Sequence, residues 1–139
     1  MAFDVKVHLK SVQKADNMAD INHTDTDGRL SVSSGNRFLL RFDTTDENGG
    51  VTSTSVKSTD GEHITVIRKG TANTKMEFDA DTPTPFLYST PIGTLGFMLR
   101  TDEISLILDE SPSLSLIMRY QLYNNGEIVS ENRIEITAV

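Results

Sequence analysis

The chain has 139 residues, of which 37% are hydrophobic, and a formal net charge of −7. This length suits one domain spanning residues 1–139, and the acidic charge disfavours binding to nucleic acid and to anionic membranes. Cysteine is absent, which excludes disulfides, thiol catalysis and cysteine-ligated zinc.

The first predicted element is a strand, because apolar and polar residues alternate in FDVKVHL, residues 3–9. The N-terminal MAFDVKVHLK lacks the continuous apolar run of a signal peptide or membrane span, so we expect a soluble cytoplasmic protein. The polar residues 13–28 that follow leave two alternatives open, a weak strand near residues 18–24 or a single helical turn. RLSVS and RFLLRFD then flank Ser34-Gly35-Asn36, which predicts a hairpin.

Turn signals divide the rest of the chain into short strands. Asn48-Gly49-Gly50 precedes VTSTSVKS, and Asp60-Gly61 precedes EHITVIRKG. TKMEFD, FLYST, TLGFMLR and EISLILD follow, and Asn124-Asn125-Gly126 joins the final SLSLIMRYQLY and EIVSENRIEITA as a hairpin. No segment of ten residues has a helical period. The pattern predicts an all-β fold, an up-and-down antiparallel β-barrel of about eight to ten strands.

The segment YSTPIGTLGFML, residues 88–99, admits a phosphate-binding loop or a joint between two strands. A phosphate-binding loop requires a following helix and a Gly-Lys-Ser/Thr ending, and both are missing. The residues from Leu95 to Leu99 alternate as in a strand. Pro91-Ile92-Gly93 is therefore predicted to be a turn, and Gly96 to mark either a β-bulge or a sharp coil of the strand.

Four polar residues share the parity of apolar core positions in their strands: Arg68, Tyr88, Tyr120 and Asn132. In the last strand, Ile128 is predicted to lie on the same inward face as Asn132. A buried guanidinium needs a carboxylate, carbonyl groups or a bound anion. One hypothesis is a ligand pocket in which Arg68 recognises a negative group and the other three orient the ligand. The alternative is a filled barrel, in which Arg68 extends to solvent and the other side chains bond to one another.

HTDTDGRL resembles part of a calcium-binding EF-hand loop, with Asp25, Asp27 and Gly28 at matching positions. However, His23 stands where the first carboxylate is required, and Ser34 stands where the final glutamate is required. The segment is therefore interpreted as an acidic turn without calcium.

No other motif in the sequence indicates a metal site or a catalytic site. His8, His23 and His63 lie far apart and lack the spacing of zinc ligands. No serine lies in a G-x-S-x-G motif, and no catalytic carboxylate pair can be selected from 20 acidic residues. We predict no catalytic residue, metal or cofactor, and enzymatic activity is the least supported hypothesis.

The segments VIRKG, KMEF, YSTPIGTL and YQLYNNGEIVSENRIEI, in this order and spacing, resemble the YwiB-like family of bacterial proteins of unknown function. The resemblance covers essentially the whole chain and implies a calycin-like, lipocalin-related barrel, but no activity. It implies that members of the family carry an arginine at the position of Arg68 and a threonine-proline pair at the position of Thr90-Pro91. It also implies a Ser/Gly-Glu-Asn run at the position of Ser130-Glu131-Asn132. The chain departs from the family at Lys75, where arginine is usual, and at Ile92, where an aromatic residue is usual.

Two functional hypotheses follow. The first is a binding protein whose barrel accepts a small, partly apolar or anionic ligand. The second is a protein-interaction or structural domain, a monomer or homodimer, that acts through an edge strand or through its outer face. The outward parity of Ile107, Ile117 and Tyr123 motivates the second hypothesis.

Overall fold

A computed structural model describes residues 2–70, 73–109 and 111–139, and its described part is built from ten antiparallel strands. The strands are β1 (Ala2–Ala15), β2 (Met18–Ser33), β3 (Arg37–Thr45), β4 (Val51–Ser58), β5 (His63–Lys69), β6 (Asn73–Asp79), β7 (Thr84–Thr90), β8 (Gly93–Asp109), β9 (Ser113–Asn124) and β10 (Glu127–Ala138). Each strand pairs with the next along the chain, and β10 pairs with β1 to close the barrel. The predicted all-β, up-and-down antiparallel barrel is confirmed.

The interior differs between the two ends of the barrel. One end, here called the closed end, carries the β2–β3, β4–β5, β6–β7 and β8–β9 turns. Large apolar side chains such as Phe38, Ile64, Phe78 and Leu114 are buried there. At the opposite end, called the open end, the inward positions of β1 to β5 and of β10 are mainly polar. Apolar burial at the closed end stabilises the fold and leaves the open end free for other roles.

The tight turns have the backbone conformations that the sequence predicts. Asn125 and Gly126 have φ values of 52° and 79°, as a type I′ hairpin turn requires. Pro91 and Ile92 form the turn between β7 and β8. Gly93 follows with a φ of 149°, which non-glycine residues rarely adopt.

The polar stretch after β1 forms most of β2, so the weak-strand alternative is right and the acidic turn is wrong. Asp25 and Asp27 point outward from this strand. Asp25 lies 2.5 Å from Nδ1 of His8, and Asp27 accepts a hydrogen bond from the Lys6 ammonium. The Lys6–Asp27 ion pair and the contact of His8 with Asp25 thus join β1 to a strand that has few apolar residues.

A β-bulge in β10 overturns the predicted orientation of Ile128. The pairing of β10 with β9 shifts between Ile128 and Ser130, so Ile128 faces Tyr123 and is 55% exposed. One extra residue reverses the inward and outward alternation on either side of a bulge. Ser130 and Asn132 keep the inward parity, whereas Ile128 lies outside.

The bulge predicted in β8 lies elsewhere in that strand. Gly96 pairs regularly with Leu87, and the register shift occurs between Thr101 and Glu103. The bulge alternative at Gly96 is therefore wrong.

The hairpin of β7 and β8 extends beyond its neighbours at the open end. Pairing of β8 with β9 begins only at Met98, so residues 93–97 pair with β7 alone. Residues 87–97 are called the β7–β8 tip below. None of the described segments forms an apolar helix with the length that a bilayer crossing requires.

Candidate functional site

The open half of the barrel encloses a cavity of about 450 Å³. Its lining residues are Leu9, Ser11, Val12, Gln13, Asn22, Thr24, Phe42, Thr44, Thr54, Val56, Val66, Arg68, Met76, Tyr120, Asn132, Arg133, Ile134 and Ile136. The volume falls within the range of pockets that hold small organic molecules.

The cavity combines an apolar floor with a polar wall. Phe42, Val56 and Ile136 are buried and belong to the apolar core, on which the cavity rests. Gln13 and Asn22 are exposed and connect the cavity to solvent at the open end. A ligand that enters from this end would therefore meet polar groups first and carbon groups deeper inside.

The cavity has a positive charge balance within an acidic protein. Two lining residues are charged, Arg68 and Arg133, and no carboxylate among the described residues lines it. The Nη2 atom of Arg133 donates to Oε1 of Glu135 at 2.9 Å. In the described chain no carboxylate oxygen lies within 4.0 Å of the Arg68 guanidinium. The Arg68 side chain is exposed rather than buried, so it is the group best able to recognise an anion at the open end of the cavity.

Tyr120 lies beside Arg68 with its ring packed in the core. The ring contacts Phe78 edge to face, with the ring centroids 5.0 Å apart and the planes at 75°. Burial raises the pKa of Tyr120 to about 12, and the positive charge of Arg68 opposes that rise. The hydroxyl is therefore protonated at neutral pH and can donate a hydrogen bond.

Asn132 faces Tyr120 across β10 and β9. Its Nδ2 atom donates to Oγ of Ser130 at 3.0 Å, and Ser130 is buried. This bond holds the carboxamide in place. Its oxygen has no hydrogen bond from another side chain in the described part of the barrel.

The structure brings three of the four predicted site residues together, namely Arg68, Tyr120 and Asn132. Tyr88 does not line the cavity. It lies on the β7–β8 tip, pairs with Leu95 and is 38% exposed. Tyr88 has the inward parity of its strand, but this part of the hairpin extends beyond the enclosed barrel.

The sequence analysis missed the threonines that line the cavity, Thr24, Thr44 and Thr54. Threonine is common on both faces of strands, so its parity carries little information about burial. The alternation in HTDTDG was the available signal, because it places Thr24 and Thr26 on the face opposite Asp25 and Asp27.

An outer groove of about 360 Å³ crosses β1, β9 and β10. It is lined by Lys10, Val12, Lys14, Arg119, Glu131, Asn132, Arg133 and Glu135. Arg133 bonds to Glu135, and Arg119 lies 3.8 Å from Glu103. Exposed ion pairs of this kind contribute little binding or folding energy, and the paired charges partly neutralise each other. The cavity is therefore the better candidate site.

The described residues contain no cluster of three or more histidine and acidic side chains that could hold a metal ion. The polar groups that line the cavity include the Arg68 guanidinium, the three carboxamides of Gln13, Asn22 and Asn132, and several hydroxyl groups. These groups can hold an anion by hydrogen bonds and charge.

Comparisons with known proteins agree with the fold. No curated protein matches the chain significantly. Among solved structures, the chain is similar to the crystal structure of the ywiB protein from Bacillus subtilis, with 23% sequence identity and a TM-score of 0.82. The match covers 99% of this chain and 91% of that chain, and at this identity it shows the shared fold alone. A profile described as a domain of unknown function, DUF1934, matches residues 7–136. The resemblance to the YwiB-like proteins is thus confirmed, and the chain belongs to the DUF1934 family.

Proposed function

We propose that this protein binds a small, anionic and partly apolar ligand in the open half of its barrel. One observation carries the proposal: two arginines and no carboxylate of the described chain line the cavity, although the sequence has 20 acidic residues. Arg133 is paired with Glu135, so the charge that remains without a protein counter-ion in the described chain is that of Arg68, which is exposed at the open end. A positive charge at the mouth of the cavity favours an anionic occupant.

Each lining group has a distinct role in this proposal. Arg68 pairs with the anionic group, because a guanidinium offers several donors in one plane. Tyr120 donates its hydroxyl hydrogen, and Asn132 accepts or donates through its carboxamide. The floor at Val56 and Val66 contacts the carbon part of the ligand and removes it from water.

Two fluorescent probes of similar shape test the proposal. Anilinonaphthalene sulfonate carries a negative charge, and phenylnaphthylamine has the same rings without that charge. We expect the sulfonate to bind more tightly to the wild-type protein. Substitution Arg68→Gln should weaken sulfonate binding by about tenfold or more, the usual effect of a charged hydrogen bond.

The control variant is Arg41→Gln, which removes an exposed arginine of β3. It changes the net charge equally and does not touch the cavity, so sulfonate binding should stay unchanged. The proposal fails if the two probes bind equally, or if both variants weaken binding to the same extent. Native mass spectrometry of protein purified from its own cells would then identify a co-purifying ligand by mass.

A further inference from the structure

The β7–β8 tip lies within a long stretch of the chain that has no charge. Residues 82–99 contain no Asp, Glu, Lys or Arg, although the sequence has 13 basic and 20 acidic residues. Several apolar side chains of the tip are exposed, with Ile92 at 99% and Leu95 at 60%. Exposed apolar groups without interspersed charge are typical of an interaction surface.

The same tip has an unpaired strand edge. Residues 93–97 of β8 pair with β7 on one side and have no strand partner on the other side within the described chain. Their backbone groups on that side can accept another strand. Natural edges are commonly protected by lysine, proline or a bulge, and the GTLGF sequence of this edge has none of them.

We propose that a second copy of this chain pairs with residues 93–97 in antiparallel orientation and forms a two-fold dimer. In this arrangement Leu95 lies on the symmetry axis and faces the partner's Leu95. The edge is then complementary to itself, as a two-fold interface requires. This proposal does not depend on the proposed ligand.

Charge favours a second copy as the occupant. Two chains that each carry a net charge of −7 repel one another over most of their surfaces. The β7–β8 tip, within the uncharged residues 82–99, is a place where they can meet without bringing like charges together. Tyr88 pairs with Leu95 within each hairpin, so the two Leu95 side chains would be flanked by two tyrosine rings.

The interface is small. Five paired residues and a few side chains bury less than the roughly 800 Å² per partner of a stable complex. We therefore expect a dimer that forms at high protein concentration and dissociates on dilution.

Sedimentation analysis over a range of concentrations tests the dimer. The mass should rise from 15.4 kDa towards twice that value as the concentration increases. The Leu95→Glu variant should stay monomeric, because it places two negative charges opposite each other. The matched control is Ile107→Glu, on an exposed part of β8 that pairs with β9 and is 69% exposed. This control should dimerise like the wild type.

Cysteine cross-linking tests the symmetry axis. Because the chain has no cysteine, a Leu95→Cys variant carries a single thiol. Mild oxidation should give a disulfide-linked dimer for Leu95→Cys and little for Ile107→Cys. Circular dichroism of each variant should show the same sheet content as the wild type.

Three results would overturn the proposal. The first is a wild-type protein that stays monomeric at every concentration, which would leave the edge to an extended segment of another protein. The second is a Leu95→Glu variant that still dimerises. The third is dissociation by Ile107→Glu in place of Leu95→Glu, which would locate the interface on the outer face of the barrel.

Discussion

Gly28 of β2 lies diagonally across from Val7 of β1, so close that a β-carbon at position 28 would lie 2.7 Å from the Val7 Cγ2 atom. The same β-carbon would lie 2.8 Å from the carbonyl oxygen of Arg41. A backbone oxygen held in a strand ladder cannot move easily. Glycine at this position therefore lets three strands pack around the core.

Substitution Gly28→Ala should lower the free energy of unfolding by about 1–3 kcal/mol, because it overpacks the barrel wall. Urea titration followed by circular dichroism measures this change. Gly96→Ala is the matched control in another strand, because its β-carbon would meet only Leu87, at an ordinary 3.6 Å. Equal destabilisation by the two substitutions would contradict the close-packing explanation.

The hydroxyl of Thr101 is buried and has no hydrogen-bond partner in the described chain. Thr101→Val keeps the shape and removes the unsatisfied group, so we expect stability to stay equal or to rise by about 1 kcal/mol. The contrasting variant is Thr84→Val, because Oγ1 of Thr84 donates to the carbonyl oxygen of Glu77 at 2.6 Å. The free energy of unfolding of that variant should fall by about 1 kcal/mol. Thermal unfolding measures whether each variant is more or less stable than the wild type. A clear loss of stability for Thr101→Val would refute the prediction.

The alternation of apolar residues was sufficient to predict the strands and most of their faces, because a barrel buries every second side chain. It failed at Ile128, since a bulge is set by hydrogen bonds between two strands and leaves no mark on the period of one strand. It failed at Tyr88 for a related reason. The parity of Tyr88 is inward, but the length of the neighbouring β9 decides whether that face is enclosed.

The candidate site was predictable only in part. Arg68, Tyr120 and Asn132 share a parity that can be read along each strand, and closure of the barrel brings them together. The absence of lining carboxylates in the described chain was not predictable, because it depends on which ends of ten strands meet. The unpaired edge at residues 93–97 also depends on relative strand lengths, which one sequence does not specify.

The charge of Arg68 acts on the ionisation of Tyr120. The pKa of Tyr120 is raised to about 12 by burial, and Arg68 lowers it, so Arg68→Gln should raise that pKa further. A titration of tyrosinate absorbance measures the shift, and a Tyr120→Phe variant identifies the transition. An unchanged or lowered pKa in Arg68→Gln would contradict this predicted effect of the Arg68 charge.

The same pKa predicts how stability changes at alkaline pH. The folded-state value exceeds the unfolded value of about 10, so the unfolded chain releases this proton first. The Tyr120 contribution therefore favours unfolding increasingly as the pH rises above about 10, by on the order of 2–3 kcal/mol at about pH 12. Tyr120→Phe should lose this part of the alkaline decline. If the stability of Tyr120→Phe declines as steeply as that of the wild type, the alkaline loss of stability comes from other groups.

His63 lies between two carboxylates at the closed end of the barrel. Its Nδ1 atom is 2.5 Å from Oδ2 of Asp60, and its Nε2 atom is 3.3 Å from Oδ2 of Asp79. Both ring nitrogens thus face acceptors, which favours the doubly protonated ring. The hydrogen bond and the charge of Asp60, with a smaller contribution from Asp79, raise the pKa of His63. Backbone and side-chain hydrogen bonds from His63, with one from the Glu62 amide, lower the pKa of Asp60.

These opposite shifts define a pH window. The folded-state pKa of His63 is raised above its ordinary value of about 6.5. The stabilisation that His63 gives to the fold is therefore complete below about pH 6.5 and is lost as the pH rises through the folded-state pKa. The contribution of Asp60 is present above its ordinary value of about 4 and is lost as the pH falls through its lowered value. Stability from this turn should therefore be greatest between about pH 4 and 6.5.

Urea titrations of the wild type and of His63→Gln across this range test the window. The wild type should lose stability as the pH rises above about 6.5, and His63→Gln should lose less over the same interval. The matched control is His23→Gln, because His23 has no carboxylate within 4.0 Å in the described chain. It should follow the wild-type curve. If His63→Gln also follows that curve, the His63 ion pairs do not contribute to folding, and the decline above neutral pH must come from other groups.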